Sequence, residues 1–537
     1  MIRDQLVEAL RDALVVLGVD PIPEVINIEQ PARREHGDWS SNVALAAAKK
    51  AGRNPRELAQ QVADHLTSNP PAHVRQVDIA GPGFVNFHLD PSWLHSVLTT
   101  VVGEGTGGYA RPDLNAGRTG RVNVEFVSAN PTGPLHPGHG RNACYGDSVA
   151  RLLTRCGFEV SREYYLNDRG VQMEKFAQSL LARKKGEDVP EDGYRGQYII
   201  DWAAEMPDDA DPGEWGEARA IADHRAVLAA MGIEFDIWFS ERSLVDSGAI
   251  DATLADLRAS GHVYDDGGAV WLRTTDFGDD KDRVLVKSSG EFTYVLPDIA
   301  YHRDKFGRGF DRLIDVWGAD HHGYVARMKA ALQILGHDPD EFHVALTQFV
   351  TLLRDGEEVK ISKRTGDLVE LRDLIDEVGA DAARLTFLLQ SADTQQGFDL
   401  AKVAAQGMEN PVFYVQMAHA RLHAIGRKAA EVGIVRQPLD AVDLSLLIHE
   451  REVEILRTLA ELPDTVALAC RERAPHKIAT WVRELAGTVH GFHHDCYVIS
   501  DQTPPELTQA RLWLVDAAIV GLAIGLDLLG VSAPDAL

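Results

Sequence analysis

From Arg121 to about residue 400, short apolar runs alternate with helical patterns, and beyond that point the strand signals stop. Alternation of this kind builds a parallel sheet through right-handed crossovers. It predicts strands at 122–127, 159–166, 313–317 and 343–353, with a helical segment after each of the first three. Two hairpin signals, Asp265-Asp266-Gly267-Gly268 and Ser288-Ser289-Gly290-Glu291, break the alternation and predict an insertion within the sheet domain. Long amphipathic segments then run over 409–431, 443–460, 475–494 and 506–529, the last introduced by Pro504-Pro505. Upstream, Ile2, Leu6, Leu10 and Leu14 predict a helix over 2–17 that ends at Gly18. A small α+β module follows, with helices at 41–50 and 55–66 and an alternating strand at 84–89. Six glycines between 103 and 120 mark a linker. The expected organisation is an α+β module at 1–102, a linker at 103–120, an α/β parallel-sheet domain with insertions at 121–400, and an all-helical domain at 401–537.

A chain of 537 residues suggests about three domains, and an apolar share of 45% is that of a globular enzyme. Read along the sequence, no apolar run approaches the roughly 20 residues of a membrane span, and the N-terminus lacks a signal-peptide pattern, so a cytoplasmic location and no membrane partner are expected. The four cysteines, Cys144, Cys156, Cys470 and Cys496, form no Cys-x-x-Cys pair, which argues against a disulfide framework or a cysteine-based zinc site. A formal charge of −27 is opposite to that of a nucleic-acid binder recognised by charge alone. Docking on phosphates depends on local patches, however, so the sign does not exclude RNA. The acidic stretch 187–217 is expected to face away from any RNA.

The most informative chemistry lies in the segment from Val124 to Gly140, which contains Ser128-Ala129-Asn130-Pro131-Thr132-Gly133-Pro134-Leu135-His136-Pro137-Gly138-His139-Gly140 and reads strand, loop, helix start. A helix beginning near Pro137 directs free backbone N–H groups and the positive end of its dipole outward, where phosphates dock. Gly138 allows a purine or phosphate close to the backbone, and His136 and His139 can donate to phosphate oxygens. A bare His-x-Gly-His would equally suit a proline-rich loop with two surface histidines. A second segment, Val359-Lys360-Ile361-Ser362-Lys363-Arg364-Thr365-Gly366, taken alone reads as a solvated basic loop.

Together these two segments resemble the paired signatures of class I arginyl-tRNA synthetases: the His-Ile-Gly-His motif, with Pro137 in place of the aliphatic residue, and the Lys-Met-Ser-Lys-Ser loop. Proline suits the first helical position because its missing N–H would be unpaired there. Tyr294-Val295-Leu296-Pro297-Asp298-Ile299-Ala300-Tyr301, Trp317-Gly318-Ala319-Asp320-His321-His322-Gly323-Tyr324 and the helix start at Asn410-Pro411 resemble the same family, as do 36–42 and 79–86 in its added N-terminal module. The similarity runs over nearly the whole chain; it departs in the acidic stretch after Lys185 and at the C-terminus, which lacks the family's methionine.

The resemblance implies a Rossmann-like class I core that joins arginine to tRNA(Arg) with ATP and ATP-borne Mg2+. His136, His139, Lys360 and Lys363 would stabilise charge in catalysis, and Pro137, Gly138, Gly140 and Ser362 would bind ATP. A guanidinium is a planar fork of five donors, so selecting it needs fixed acceptors. By resemblance Glu125, Ser128 and Asn130 would hold the amino-acid end of arginine, Tyr294 and Asp298 would read the guanidinium, and Asp320 and His321 would line the same cavity. Asn410, Tyr414, Gln416 and His419 would meet tRNA, and the family habit implies a monomer. No metal site is expected, since neighbouring histidines such as His321-His322 and His493-His494 point apart and have no cysteine or third histidine at ligand spacing. A paralogue activating arginine or an analogue for a specialised pathway, and a non-catalytic tRNA-binding relative, are the competing readings.

Overall fold

The protein is described from a computed structural model that covers residues 2–31, 33–116, 120–359 and 369–537. The central sheet has five parallel strands, β1 (Arg121–Glu125), β2 (Glu159–Leu166), β3 (Ile237–Ser240), β4 (Arg312–Gly318) and β5 (Phe342–Thr347), in the order β5-β4-β1-β2-β3. Val122, Val124, Leu313, Ile314 and Val316 are buried, as strands covered on both faces require. The winding reverses between β1 and β4. In open α/β sheets ligands bind outside the carboxyl ends of the strands at such a reversal.

Several boundaries differ from the sequence reading. β1 stops at Glu125 because Val127 and Ser128 adopt φ of 68° and 43°, which breaks the extended chain. The run expected over 343–353 is divided: after β5, Val350–Arg354 joins a separate sheet with Glu357–Glu358 and Gln396–Asp399. β3 was not expected; its four residues show no alternation. The insertion is a three-stranded antiparallel sheet of Val263–Asp266, Ala269–Leu272 and Arg283–Val286, and Gly267 and Gly268 supply the positive φ that a two-residue hairpin turn needs.

The helix Pro137–Arg155 lies so close to the end of β1 that a Cβ at Gly146 would sit 2.2 Å from Phe126 Cγ. Buried cations fasten its surroundings. Arg141 donates to the carbonyls of Gln348 (3.0 Å) and Ser391 (2.9 Å), and Arg384 donates to those of Leu529 (3.0 Å) and Met231 (2.8 Å) while pairing with Asp147.

The chain divides into two compact units. One comprises Met1–Gly103, Val435–Ala460 and Val498–Ala517, and its antiparallel sheet runs Ile28–Glu29, Trp39–Ser41, Phe84–Leu89, Val74–Ala80, with the helices Val43–Ala51 and Pro55–Ser68 packed on it. The other comprises Glu104–Ile434, Glu461–Tyr497 and Ala518–Leu537 and contains the parallel sheet. Four long helices occupy the C-terminal region: Pro411–Glu431, Glu450–Glu472, His476–Asp495 and Pro505–Leu529. The second begins later than the expected residue 443, because the Asp443 carboxylate accepts from Ser445 N–H (3.0 Å) and holds Leu444–Leu446 as a 3-10 turn; it then continues through Pro463. Against the sequence reading, Pro505–Leu529 is long and apolar enough to cross a membrane, yet 67% of its most apolar window is buried within the molecule.

Candidate active site

The loop from Phe126 to His136 leaves β1 at the reversal of winding, and its shape is imposed by neighbours. Asn142 accepts from Val127 N–H (2.6 Å) and donates to the Val316 carbonyl (2.9 Å), tying the loop to β4. Tyr164 meets both N–H and C=O of Ala129 at 3.2 and 3.3 Å. Tyr198, from the acidic stretch, donates to the Thr132 carbonyl (2.9 Å), and His224 Nε2 lies 2.8 Å from the Gly133 carbonyl. A Cβ at Gly133 would fall 2.8 Å from the Tyr198 hydroxyl, so glycine is needed for this close approach. A loop held at so many points is preorganised.

At the helix start the structure corrects one expectation. The first N–H groups are not open to a phosphate: Pro137 has none, Gly138 N–H donates to His136 Nδ1 (3.1 Å), and His139 N–H to the His136 carbonyl (2.9 Å). His136 is the N-cap, and His139 Nδ1 in turn accepts from His136 N–H (3.2 Å), a reciprocal capping box of two histidines whose rings stack at 3.7 Å. Because each Nδ1 accepts, the proton of each neutral ring belongs on Nε2. The donors at this helix start are therefore imidazole N–H groups. Gly138 lets the His136 ring fold back, since a Cβ there would be 2.9 Å from His136 Cε1. Gly140 faces Leu371, 2.5 Å from where its Cβ would be, so its smallness serves helix packing. Lys360, Ser362 and Lys363 lie outside the described residues.

Below the loop is a buried ionic cluster. Lys305, from the helix Val295–Gly307, pairs with Glu125 at the end of β1 and with Asp315 of β4 (3.0 Å). Asp315 also accepts from His302 Nε2 (2.8 Å), whose Nδ1 donates to the Asp298 carbonyl (2.7 Å). With both ring nitrogens donating, His302 is an imidazolium. Burial opposes that charge, and Asp315 outweighs the burial and raises its pKa. Burial likewise works against ionisation of Asp315, but Lys305 and His302 hold its carboxyl down at about 2. Lys305 is raised, because Asp315 and Glu125 overcome its own burial. Glu125 is pushed up by burial and by Asp315 in spite of Lys305, and it also accepts from Ser128 Oγ (2.9 Å).

Asp298 is different. Its side chain takes the Tyr324 hydroxyl, and among the described residues no lysine or arginine pairs with it. Burial pushes its carboxyl up to about 6; Tyr324 and His302 resist, while Glu241 and Glu125 add to the rise. Glu241 is itself raised by burial and hydrogen-bonds the Tyr165 hydroxyl. Asp298, Glu241 and Glu125 thus lie close enough to act on one another and on Tyr165, while the nearby cations are already committed: Lys305 to Glu125 and Asp315, His302 to Asp315, and Arg169 to Glu241 at 3.6 Å. Such a grouping is complementary to an incoming cation with several donors.

The remaining predicted residues are less closely gathered. Asn130 donates to Gln172 Oε1 (2.6 Å). Tyr294 is 84% exposed at the start of the Val295–Gly307 helix, where its carbonyl accepts from Asp298 N–H (3.4 Å), and the hydroxyl that bonds the Asp298 carboxylate is that of Tyr324. Asp320 and His321 are exposed in the turn that follows β4. Sequence reasoning missed Lys305, Asp315, His302, Glu241 and Tyr165. Tyr324 ends a quoted segment and could have been found there, whereas Glu241 had no local signal.

Three family models match along the chain: "Arginyl tRNA synthetase N terminal domain" over 1–89, "tRNA synthetases class I (R), catalytic domain" over 110–192 and 218–424, and "DALR anticodon binding domain" over 415–537. The catalytic model alone takes in more than half of the residues. The chain belongs to the arginyl-tRNA synthetase family. Among similar synthetases, the arginine–tRNA ligase of Frankia alni is 47% identical across 99% of both chains, and that of Bacillus subtilis is 42% identical across 99% of this chain and 98% of its own. The fold is shared with the arginyl-tRNA synthetase structure from Thermus thermophilus, with a TM-score of 0.78 at 23% identity over 100% of each chain. The interruption in the synthetase catalytic match, between 192 and 218, falls in the acidic stretch.

In the helix expected to meet tRNA, three of the four named side chains turn inward. Asn410 caps the helix by accepting from Val412 N–H (3.0 Å), Gln416 donates to Asp381 (2.9 Å), and His419 bonds the Pro534 carbonyl (2.9 Å). All three are buried, which gives them packing roles and takes them away from direct RNA contact. Tyr414 is half-buried against His490, with ring centroids 4.5 Å apart.

Proposed function

We propose that the chain activates L-arginine with ATP to arginyl-adenylate and transfers it to the 3′ end of tRNA(Arg), in the cytoplasm and as a monomer. The observation that carries this reading is Asp298: a half-buried carboxyl with no lysine or arginine paired to it among the described residues, raised to about 6, near Glu241, Glu125, Tyr324 and Tyr165. A guanidinium placed there stabilises the carboxylate against its burial and satisfies acceptors that an uncharged analogue would leave unpaired. Arginine's carboxylate then attacks the α-phosphorus of ATP and expels pyrophosphate, and the tRNA ribose takes the arginyl group. Neither step needs a strong general base, so positioning and charge stabilisation suffice.

His136 and His139 serve as Nε2–H donors to the phosphates, with Lys360 and Lys363 supplying cationic charge and Pro137, Gly138, Gly140 and Ser362 framing ATP. Mg2+ arrives with the nucleotide and neutralises phosphate charge. Glu125, held by Lys305 and Ser128, receives the substrate ammonium together with Asn130; Asp298 and Tyr294 read the guanidinium, with Asp320 and His321 at the rim of the cavity. Residues 1–102 bind the tRNA elbow, 121–400 carry the chemistry and 401–537 meet the anticodon, where Tyr414 stacks on a base. The deciding experiment is tRNA charging with each of the twenty amino acids: arginine alone is esterified, and transfer of another amino acid, or tRNA binding without adenylate formation, defeats the assignment.

A pH dependence follows. Cation binding requires ionised Asp298, so protonation competes with arginine. The KM for arginine should be flat above about pH 6 and rise about tenfold per unit below it. Of the groups around Asp298, Glu241 and Glu125 reinforce this direction while Tyr324 and His302 moderate it. Steady-state kinetics between about pH 5 and 8, with the KM for ATP as the internal control, check it. Equal changes in both constants count against Asp298 as the titrating group.

A further inference from the structure

The helix Pro411–Glu431 carries His419 and His423 one turn apart, so both rings rise from one face. The end of the chain returns along that face. The Pro534 carbonyl accepts from His419 Nδ1 (2.9 Å), the Asp535 carbonyl accepts from Arg427 Nη1 (3.0 Å), and the Asp535 carboxylate lies 3.3 Å from His423 Nε2. One donor atom from each of His419, His423 and Asp535 lies within 4.8 Å of the other two.

We propose that His419, His423 and Asp535 form a binding site for a divalent transition metal of the Zn2+ class that clips the C-terminal tail to this helix. Two imidazoles and one carboxylate are the donor set of zinc, not of calcium or magnesium, which take oxygen ligands. The Pro534 carbonyl fixes the His419 proton on Nδ1 and leaves the lone pair on Nε2. This is the arrangement of a metal-ligating histidine, whose second nitrogen donates to a carbonyl. His419 is 2% exposed, so its ring is held in place by the packing around it. The other two ligands are nearer to solvent: the side chain of His423 is 28% exposed and that of Asp535 71%. They can close inward by about an ångström to bond lengths of about 2.0–2.2 Å, leaving the fourth position for water. Asp535 lies 112 residues from His423 and 116 from His419 in the chain, so ligand spacing in the sequence gives no sign of the site.

The test uses the full chain, freed of metal by a chelator and titrated with Zn2+ by calorimetry, with Co2+ as a spectroscopic stand-in. One equivalent should bind, Co2+ should give the visible absorption of a four-coordinate site, and both His423→Ala and Asp535→Asn should weaken Zn2+ binding at least tenfold. Zn2+ should also slow carboxypeptidase removal of the last residues in the parent chain and not in His423→Ala. Absence of stoichiometric binding, or equal affinity in the parent and both variants, overturns the proposal. The variants replace partly exposed side chains and leave the buried His419 in place, so loss of binding is separable from loss of folding by a melting curve.

Discussion

Lys305→Met should lower the stability of the synthetase by about 3–5 kcal/mol and abolish measurable arginine activation. Lys305 is 0% exposed and neutralises Glu125 and Asp315 together. Methionine fills a similar volume, so the loss is chiefly electrostatic: two carboxylates are left buried with His302, among the described residues, as the one cation still paired with them. Burying an unpaired charge is costly, whereas removing both partners is far milder. Adding Glu125→Gln to Lys305→Met should therefore recover part of the melting temperature without recovering activity. A single variant that melts and activates arginine like the parent would show that the cluster is not what holds Glu125 in place.

Asp298→Asn should raise the KM for arginine about 100-fold while leaving that for ATP nearly unchanged. A charge-assisted hydrogen bond to a guanidinium is worth about 1.5–3 kcal/mol, and about 1.4 kcal/mol is a factor of ten. The same change should stabilise the free protein at neutral pH. The folded carboxyl is raised to about 6 from its ordinary 3.8, so the folded state holds its proton more tightly than the unfolded chain. Stability is then present in full below the unfolded value, is lost as pH rises through about 6, and stays lost at neutrality. Asparagine has no proton to lose, and the expected gain is of order 1–3 kcal/mol. Kinetics and melting curves at pH 5 and pH 8 separate the two effects: the stabilisation should shrink at the lower pH, and the low-pH rise in the KM for arginine should vanish. An unchanged KM would remove Asp298 from the guanidinium pocket.

The contrast between these two residues indicates what the sequence could reveal. Asp298 stood out because its segment resembles a family signature, and the strand, loop and helix around His136 and His139 were legible because local patterns encode local structure. Lys305 was not, since a lysine near the end of an amphipathic helix ordinarily lies in solvent. Its burial depends on Glu125, 180 residues away, and on Asp315 in a neighbouring strand. The edge strand β3 was missed for a related reason: four residues at a sheet margin carry no period, and only pairing with β2 makes them a strand. The helix Pro505–Leu529, expected over 506–529, proved more apolar than a search for uninterrupted runs suggests, because a few charges interrupt it. Tyr324 shows the limit of resemblance, since its segment was similar to the family's without giving that ring a role, and only the fold shows its hydroxyl on the Asp298 carboxylate.

The two rings that fasten the first turn of the Pro137–Arg155 helix are also the pair assigned to the nucleotide. Alanine at either position would therefore fray the turn as well as delete a donor, and the measured rate would mix two injuries. Asparagine at His136 retains a side-chain acceptor for Gly138 N–H while discarding the imidazole. The difference in turnover between the alanine and asparagine proteins is the share of the defect that belongs to loosened backbone, and what persists in the asparagine protein is the share that belongs to the chemistry.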